Sequence, residues 1–516
     1  MSSLALGAHV RSFAYDDGCE PLLRNVRLEL VPGSLTAVLG ASGSGKSTLA
    51  KVLAGWAIAG GHGRLDGTLQ LGRSGTAERL DFRGLPDDPR LRLGAWGQHV
   101  AYVPQRAADL LTGAAATVGE ELAFALEQRG TPRAEMLVQV DSAARAVGLG
   151  EFLLRDPRRL SGGEQRRLAI ACALVGRPDV VLLDEPSASL DAQGLVALSQ
   201  LVDTLRTAGA AVVVFSAADD PIARAAGHWL LLEGGAVAAE GPPDEVEGSA
   251  AFTASGVLRE GAATPRAPRL VGGDADAPTP LAELDRVTFV YPDAHHAERR
   301  RHREVSGPSM PVLDEASFAV LPGEVVALTG PNGAGKSTSL RHLAGLLRPQ
   351  GGSVRIGGRD ILAEPAGRVA ATVGTLFQEP RDQLFERTAL REVAFGLAGH
   401  RRGFLGASRD EAHTRALEAL DAVGLVRHAD AHPYELSMSE QRLLALATVL
   451  ARQPRVLLLD EPTVGLDRFG LARLQAAVRR AAEGGAAVVL STHALAWARR
   501  QADRGLVLAK GRFEEA

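Results

Sequence analysis

A set of sequence motifs occurs twice along the chain in the same order, and this duplication constrains the fold more than any other feature. SLTAVLGASGSGKSTLAKVLAG at 34–55 matches EVVALTGPNGAGKSTSLRHLAG at 324–345. PDVVLLDEPSASLD at 178–191 likewise matches PRVLLLDEPTVGLD at 454–467. Because the copies have the size of domains, they predict a duplicated domain and not a solenoid of short repeats. The 516 residues of the chain are enough for two such domains.

The alternation of apolar strands and helical segments in each half predicts an α/β fold. Runs such as VVLL and VLLL are typical of strands that are buried on both faces of a mainly parallel sheet. We predict a first domain over 1–241, a flexible linker over 242–280 and a second domain over 281–516, because the intervening stretch is rich in Gly, Ala and Pro. An insert at 293–311 contains histidines without the fixed spacing of metal ligands, so we interpret it as a solvated loop.

Composition excludes several classes of protein. A net charge of −4 argues against sequence-independent binding of nucleic acid, so we expect no nucleic-acid partner. The two cysteines, Cys19 and Cys172, are too few for a disulfide framework, a four-ligand zinc site or an iron–sulfur cluster, which fits a reducing cytosol. No run reaches 18 apolar residues and the N-terminus lacks the pattern of a signal peptide, so we predict no membrane-spanning segment.

The strongest local signal is a glycine-rich loop between an apolar strand and a helix, present in both halves. Such a loop wraps its backbone around a phosphate group, and its amides face the anion. Lys46 and Lys336 are placed to reach the β- and γ-phosphates of a nucleotide, and Ser47 and Ser337 to hold Mg²⁺. The residues predicted to bind nucleotide here are Gly40, Ser42, Gly43, Gly45, Lys46, Ser47 and Thr48, with Gly330, Asn332, Gly333, Gly335, Lys336, Ser337 and Thr338.

An acidic pair follows a short apolar strand in each half, as Asp184-Glu185 and as Asp460-Glu461. The carboxyl ends of the strands are where open α/β sheets bind ligands. The aspartate of each pair can hold Mg²⁺, and the glutamate can act as the general base for an attacking water. Together with the glycine-rich loops, the pairs predict an ATPase with ATP and Mg²⁺ as cofactors.

The segment Leu160-Ser161-Gly162-Gly163-Glu164-Gln165 resembles the signature motif of ATP-binding-cassette proteins, and Leu436-Ser437-Met438-Ser439-Glu440-Gln441 occupies the matching place in the second half. Further positions match the family's Q-loops, D-loops, switch histidine and adenine-stacking aromatic residues. They are Gln105 and Gln378, Ser189-Leu190-Asp191 and Gly465-Leu466-Asp467, His493, and Tyr15 and Tyr291. The resemblance covers nearly the whole chain outside the linker and the insert.

This resemblance implies two P-loop NTPase domains, each with a mainly parallel sheet core, a small antiparallel β subdomain and a helical signature subdomain. In the family, ATP lies between the P-loop of one cassette and the signature of another, so the two halves of this chain are expected to pair head to tail. Ser161, Gly162, Gly163, Gln165 and Ser437 are then expected to contact nucleotide. Gln105 and Gln378 are expected to join the coordination of Mg²⁺.

The segment from Gln378 to Gly396, with QLF at 383–385, resembles the ATPases of energy-coupling-factor importers and their cobalt and nickel relatives. A looser version runs from Gln105 to Phe124. The resemblance implies a peripheral protein at the cytoplasmic face of the cell membrane, docked through Phe385 on a transmembrane T subunit. A separate S subunit would capture a vitamin, a vitamin precursor or a metal ion, so no residue here identifies the solute.

Two alternatives stay open. The chain can be the tandem ATPase of another importer class, such as the sugar type. It can also be a soluble, ribosome-associated tandem cassette, although those proteins have a long charged helical linker and two intact signatures.

Two departures from the family pattern coincide. Ala218 occupies the place of the switch histidine in the first half, and Met438-Ser439 replaces the signature glycines in the second. With head-to-tail pairing, both departures fall in the site that contains Lys46. We therefore predict one degenerate site, with Glu185 as its glutamate, and one active site with Glu461 as base and with His493 and Gln378 as sensors of the γ-phosphate.

Overall fold

The computed structural model describes residues 4–15, 20–59, 63–72, 78–160, 162–188, 190–259, 279–291, 311–397 and 408–515. The chain divides into two compact units, Met1–Glu260 and Gly261–Ala516, called here the first and second unit. Within the described ranges, no helix is both long enough and apolar enough to cross a membrane.

The first unit combines a parallel-type sheet, a small antiparallel sheet and a set of helices. Its strands are β1 (Leu6–Ala14), β2 (Leu23–Leu30), β3 (Leu35–Leu39), β4 (Arg64–Leu71), β5 (Glu78–Arg83), β6 (Val100–Val103), β7 (Val180–Asp184), β8 (Ala211–Ser216), β9 (His228–Glu233) and β10 (Ala236–Gly241). Its helices are α1 (Lys46–Leu53), α2 (Leu93–Trp96), α3 (Val118–Gln128), α4 (Arg133–Ala146), α5 (Gly162–Leu174), α6 (Ala192–Thr207), α7 (Pro221–Arg224), α8 (Pro243–Glu247) and α9 (Ala250–Ala254).

The second unit repeats this arrangement. Its strands are β11 (Ala282–Phe289), β12 (Leu313–Val320), β13 (Val325–Thr329), β14 (Gly351–Ile356), β15 (Arg359–Asp360), β16 (Val373–Leu376), β17 (Val456–Asp460), β18 (Ala487–Ser491), β19 (Arg504–Ala509) and β20 (Arg512–Glu515). Its helices are α10 (Lys336–Leu343), α11 (Ala366–Val369), α12 (Ala389–Ala394), α13 (Arg409–Ala422), α14 (Met438–Leu450), α15 (Arg468–Glu483) and α16 (Leu495–Gln501).

The sheet order is the same in both units. The larger sheet has the order β10-β9-β3-β8-β7-β6 in the first unit and β20-β19-β13-β18-β17-β16 in the second. Its strands are parallel except for the outermost hairpin strand, β10 or β20. The smaller sheets, β2-β1-β4-β5 and β12-β11-β14-β15, are antiparallel. The duplicated α/β fold with an antiparallel subdomain is therefore confirmed.

The apolar strands are buried on both faces, as their composition predicted. Along β7, Val181 and Leu183 point into a cluster with α3 to α6, while Val180 and Leu182 point into a second cluster with the antiparallel sheet. All five residues of β7 are buried. Packing on both faces of the sheet holds the carboxyl end of β7, where the acidic pair begins, in a fixed position.

The boundary predicted at residue 241 is too early. Residues 243–254 form α8 and α9, and Val246, Phe252 and Val257 are buried in the core of the first unit. The rings of Phe252 and Trp229 stack with centroids 5.7 Å apart. The Gly- and Ala-rich composition of this stretch concealed three well-spaced core residues. The rest of the predicted linker, at 260–278, and nearly all of the predicted insert lie outside the described residues, as do Ser161 and Ser189.

Candidate nucleotide-binding sites

The glycine-rich loops connect β3 to α1 and β13 to α10. Gly45 and Gly335 are the N-terminal caps of these helices and have φ angles of 100° and 109°. A side chain at such a left-handed position would be strained, so glycine lets the chain turn directly into the helix. The first amides of each helix have no partner within the helix and carry the positive end of its dipole, which suits a phosphate.

A buried lysine begins each helix and folds back over its loop. Lys46 Nζ donates to the carbonyls of Gly40 (2.8 Å) and Ala41 (2.9 Å). Lys336 Nζ donates to those of Gly330 (2.8 Å) and Pro331 (3.1 Å). Both ammonium groups are thus held inside the loop, where an anion would meet a positive charge already in place.

The aspartate of each acidic pair lies beside the serine that follows the lysine. Ser337 Oγ donates to Asp460 Oδ1 (2.9 Å), and Ser491 Oγ donates to the same oxygen (2.6 Å). In the first unit, the side chains of Ser47 and Asp184 are also hydrogen-bonded, and Tyr102 donates its hydroxyl to Asp184 Oδ2 (3.1 Å).

The donor set fits Mg²⁺. Asp184 Oδ1 is buried and has no hydrogen-bond partner among the described residues. Burial of this carboxyl also raises its pKa, and the hydrogen bonds from Ser47 and Tyr102 and the charge of Lys46 act in the opposite direction. A hydroxyl and a carboxylate next to a phosphate site are the oxygen ligands that Mg²⁺ prefers. Gln105 and Gln378 follow β6 and β16, which pair in parallel with β7 and β17, so they emerge at the same edge of the sheet as the aspartates.

Both candidate bases adopt an unusual backbone conformation. Glu185 and Glu461 have φ angles of 47° and 49°, which is the left-handed region. Burial raises the pKa of each carboxyl to about 7. A carboxylate with such a pKa can accept a proton from water at neutral pH. Non-glycine residues held in this region often belong to functional sites, where the surrounding structure maintains the strain.

The side chains around the two glutamates differ. His493 Nε2 lies 3.1 Å from Glu461 Oε1 and 3.5 Å from Lys336 Nζ, so histidine, glutamate and lysine form one cluster in the second unit. In the first unit, Glu185 Oε1 lies 3.9 Å from Lys46 Nζ. Ala218, at the place of the histidine, has no side chain that could join them.

The two signature segments also differ. Gly162 and Gly163 are exposed, and a Cβ atom built on either would meet nothing within 4 Å. Packing within the first unit therefore does not require these glycines. In the second unit, Ser437 caps α14 through a capping box with Glu440: the hydroxyl of Ser437 lies 2.8 Å from the carboxylate and 3.3 Å from the backbone nitrogen of Glu440. Ser439 is buried.

The two candidate adenine-stacking tyrosines occupy equivalent positions. Tyr291 Oη lies 3.2 Å from Thr338 Oγ1, and Tyr15 is hydrogen-bonded to Thr48. Each ring packs edge-on against a phenylalanine, with centroids 5.1 Å apart for Tyr15 and 4.9 Å for Tyr291. The tyrosines therefore lie beside the helices that follow the glycine-rich loops.

The D-loop aspartates, Asp191 and Asp467, cap α6 and α15: each accepts a hydrogen bond from a glycine amide, at 2.8 Å and 2.7 Å. Gln165 Nε2 donates to the carbonyl of Pro157 (3.3 Å) and thereby anchors the start of α5.

The sequence reasoning gave no role to three kinds of residue at or next to these sites. Tyr102 contacts the first aspartate, and a buried arginine on each signature helix contacts the backbone next to the acidic pair. The buried carboxylates of Glu121 and Glu392 each accept hydrogen bonds from the segment after the Q-loop. The arginines, Arg166 and Arg442, and the two glutamates recur at the same places in both halves, so comparison of the repeats could have found them.

Comparison with known proteins agrees with this geometry. Residues 23–188 and 313–464, together more than half of the chain, match the family described as ABC transporter. An ABC transporter ATP-binding protein of Streptomyces coelicolor is 32% identical over 547 residues, which cover 97% of this chain and 91% of that protein. Another, of Methanosarcina acetivorans, is 29% identical over 505 residues, covering 98% and 88%.

Among solved structures, CbiO1 of Clostridium perfringens, part of the ABC transporter complex CbiONQ, is 26% identical with a TM-score of 0.39; the match covers 46% of this chain and 87% of CbiO1. The matched family segments contain both glycine-rich loops and both acidic pairs. The chain therefore belongs to the ABC transporter family, as an ATPase that carries two ATP-binding domains in one polypeptide.

Proposed function

We propose that the chain powers a membrane transporter with two unequal nucleotide sites, of which only the one built on the second unit hydrolyses ATP efficiently. The observation that carries this proposal is the cluster of Lys336, Glu461 and His493, which has no counterpart at Ala218. An ATPase in this family partners with transmembrane subunits, so ATP turnover is expected to require the assembled transporter for its full rate.

The chemistry of the second unit follows from its charges. The amides of the loop and the ammonium of Lys336 would hold the β- and γ-phosphates, and Ser337 and Asp460 would hold Mg²⁺, which neutralises phosphate charge when it is bound. Glu461 would then take a proton from the attacking water. His493, next to both the base and the lysine, is placed to contact the γ-phosphate and to orient that water.

In the first unit, the segment at the switch position has contacts that suit a structural role. Ala218 lies in a short parallel bridge with Leu258, and the flanking bonds are Leu258 N to Ala217 O (2.8 Å) and Asp219 N to Leu258 O (3.0 Å). Asp219 is fully buried and forms an ion pair with Arg224. A segment held by these contacts, with alanine at position 218, supports the proposal that this site turns over ATP slowly.

The signature segments support the same assignment if the units pair head to tail. The open glycines at 162 and 163 would then approach the nucleotide on the second unit, where backbone amides can contact the γ-phosphate. The segment at 437–439 would complete the first site, and there the hydroxyl of Ser437 is already engaged with Glu440.

The test compares two matched substitutions, Glu461→Gln and Glu185→Gln, in the assembled transporter. We expect Glu461→Gln to lower ATP turnover by at least about 100-fold, in line with the loss of one group that acts in the transition state. Glu185→Gln should leave most of the turnover. Both variants should still bind ATP, since each glycine-rich loop is intact. Equal losses of turnover in the two variants would refute the unequal sites.

A surface on the second unit favours a transporter of the energy-coupling-factor type. The rings of Phe385 and Phe395 pack edge-on with centroids 4.7 Å apart, and 63% and 50% of their surfaces are exposed. Buried Glu392 accepts the amides of Phe385 (2.7 Å) and Glu386 (2.6 Å), and Tyr434 donates its hydroxyl to the carbonyl of Leu384 (2.9 Å).

The backbone beneath this aromatic pair is therefore fixed, so the rings offer a preformed apolar contact for a helix of a T-type membrane subunit. In the first unit, Glu121 holds Thr112 in the same way, and Phe124 is exposed. We propose a peripheral location at the cytoplasmic face of the membrane, with an S subunit that binds a vitamin, a vitamin precursor or a metal ion. A sugar-type importer is the second candidate, and identification of the membrane proteins that co-purify distinguishes the two.

A further inference from the structure

One side chain of the signature helix in the second unit reaches into the catalytic core of the same unit. Arg442, on α14, is 5% exposed. Its Nη1 donates to the carbonyl of Glu461 (2.5 Å), and its Nη2 donates to the carbonyl of Gln378 (3.1 Å). One guanidinium thus joins the backbone of the candidate base to the backbone of the Q-loop.

The peptide that Arg442 contacts is the strained one. Glu461 has a φ angle of 49°, and this conformation persists only where neighbouring groups maintain it. On the amide side, Glu461 N donates to the carbonyl and to the hydroxyl of Ser491, both at 3.1 Å. On the carbonyl side, the partner is Arg442. The backbone of the base is therefore clamped from both sides.

Burial of the charged guanidinium of Arg442 is energetically unfavourable. Burial lowers the pKa of Arg442 to about 10, which still leaves the group protonated at neutral pH, and the nearby acidic groups are Glu379, Glu461 and Asp460. Its planar fork satisfies two carbonyls at once, and a lysine ammonium on a flexible stem lacks that fixed geometry.

We propose that Arg442 is a positioning residue for ATP hydrolysis at the second unit, where it fixes the base Glu461 and the Q-loop residue Gln378 relative to each other. The proposal rests on the assignment of Glu461 as base under the proposed function. The corresponding arginine of the first unit, Arg166, likewise donates to the carbonyl of the glutamate, Glu185, but its second acceptor is the carbonyl of Ala188. Both of these carbonyls lie in the segment after β7, so the described contacts of Arg166 do not include the Q-loop.

The test is Arg442→Lys, measured as kcat and KM for ATP in the assembled transporter. A base displaced by a fraction of an ångström loses rate without losing substrate, so we expect kcat to fall by about tenfold to 100-fold while KM stays unchanged. Arg409→Lys makes the same chemical change at an exposed position of α13 and should leave both constants unchanged. Rates are divided by the fraction of protein that binds ATP, so that loss of folded protein is not counted as loss of catalysis.

The outcomes separate the two proposals. If Glu461→Gln abolishes turnover while Arg442→Lys has the kcat of the wild type, the positioning role is refuted and the base assignment stands. If Arg442→Lys raises KM and leaves kcat unchanged, the arginine serves nucleotide binding and the positioning role is also refuted. If Glu461→Gln retains turnover, the proposed function itself fails. A fall in kcat at constant KM, together with an inactive Glu461→Gln, supports both.

Discussion

Truncation of Phe252 to alanine tests whether the segment after β10 belongs to the folded core. Phe252 lies on α9, is 2% exposed, and stacks on Trp229 at an interplanar angle of 27°. The guanidinium of Arg259 lies 5.1 Å from the centre of the same ring. If this segment were a solvated linker, loss of the ring would change the free energy of unfolding very little.

The size of the effect follows from burial. Truncation of a buried phenylalanine typically costs about 3–5 kcal/mol, from lost transfer free energy and the cavity that remains. Because α9 is short and lies at the end of the first unit, its surroundings can relax, so we expect the free energy of unfolding to fall by about 3 kcal/mol. A change of 1 kcal/mol shifts Tm by about 2–4 °C in a domain of 150–250 residues, so the Tm of the first unit should fall by roughly 6–12 °C.

Calorimetry of the full chain measures this shift in Tm, and hydrogen exchange identifies which of the two units is destabilised. Peptides from β9, which contains Trp229, should lose protection in Phe252→Ala, and peptides from the second unit should not. Leu154→Ala is the control: Leu154 lies in the same unit and is 90% exposed, so its truncation should change stability by less than about 0.5 kcal/mol. A shift for Phe252→Ala no larger than that of Leu154→Ala would refute the assignment of this segment to the core.

Three further predictions concern docking, the insert and cysteine reactivity. Phe385→Glu should detach the protein from its membrane subunits in a pull-down while ATP binding persists. The control Leu154→Glu should stay bound to those subunits. If Phe385→Glu also stayed bound to them, the proposed docking surface would be wrong. Deletion of residues 296–307 should leave ATPase activity near normal, and a tenfold loss, equivalent to about 1.4 kcal/mol of barrier, would reveal a functional element there. Burial raises the pKa of the Cys172 thiol to about 12, so little thiolate forms below that pH. Alkylation at pH 8, followed by mass spectrometry, should therefore spare Cys172 until the chain is unfolded.

The sequence alone determined the duplicated α/β fold and the nucleotide loops, because both depend on short-range patterns. An apolar strand, a glycine-rich turn and a helix are consecutive in the chain, so their residues identify one another without tertiary information. The acidic pairs were identifiable for the same reason, since each directly follows an apolar strand. The sheet order then placed β3 and β7, which precede these motifs in the first unit, in one parallel sheet with β8 between them.

The tertiary structure decided which distant side chains meet. Lys336, Glu461 and His493 follow different strands of one parallel sheet, and only the register of β13, β17 and β18 brings their side chains into contact. Arg442 likewise contacts two backbone carbonyls that no sequence pattern connects with it.

Burial between residues 243 and 258 also depended on the tertiary structure. A composition rich in Gly, Ala and Pro is typical of a linker, yet Val246, Phe252 and Val257 are enough to pack the segment against β9 when an apolar surface lies beside it. Whether an apolar side chain is buried depends on the partners that the fold places around it, and those partners are distant in the sequence.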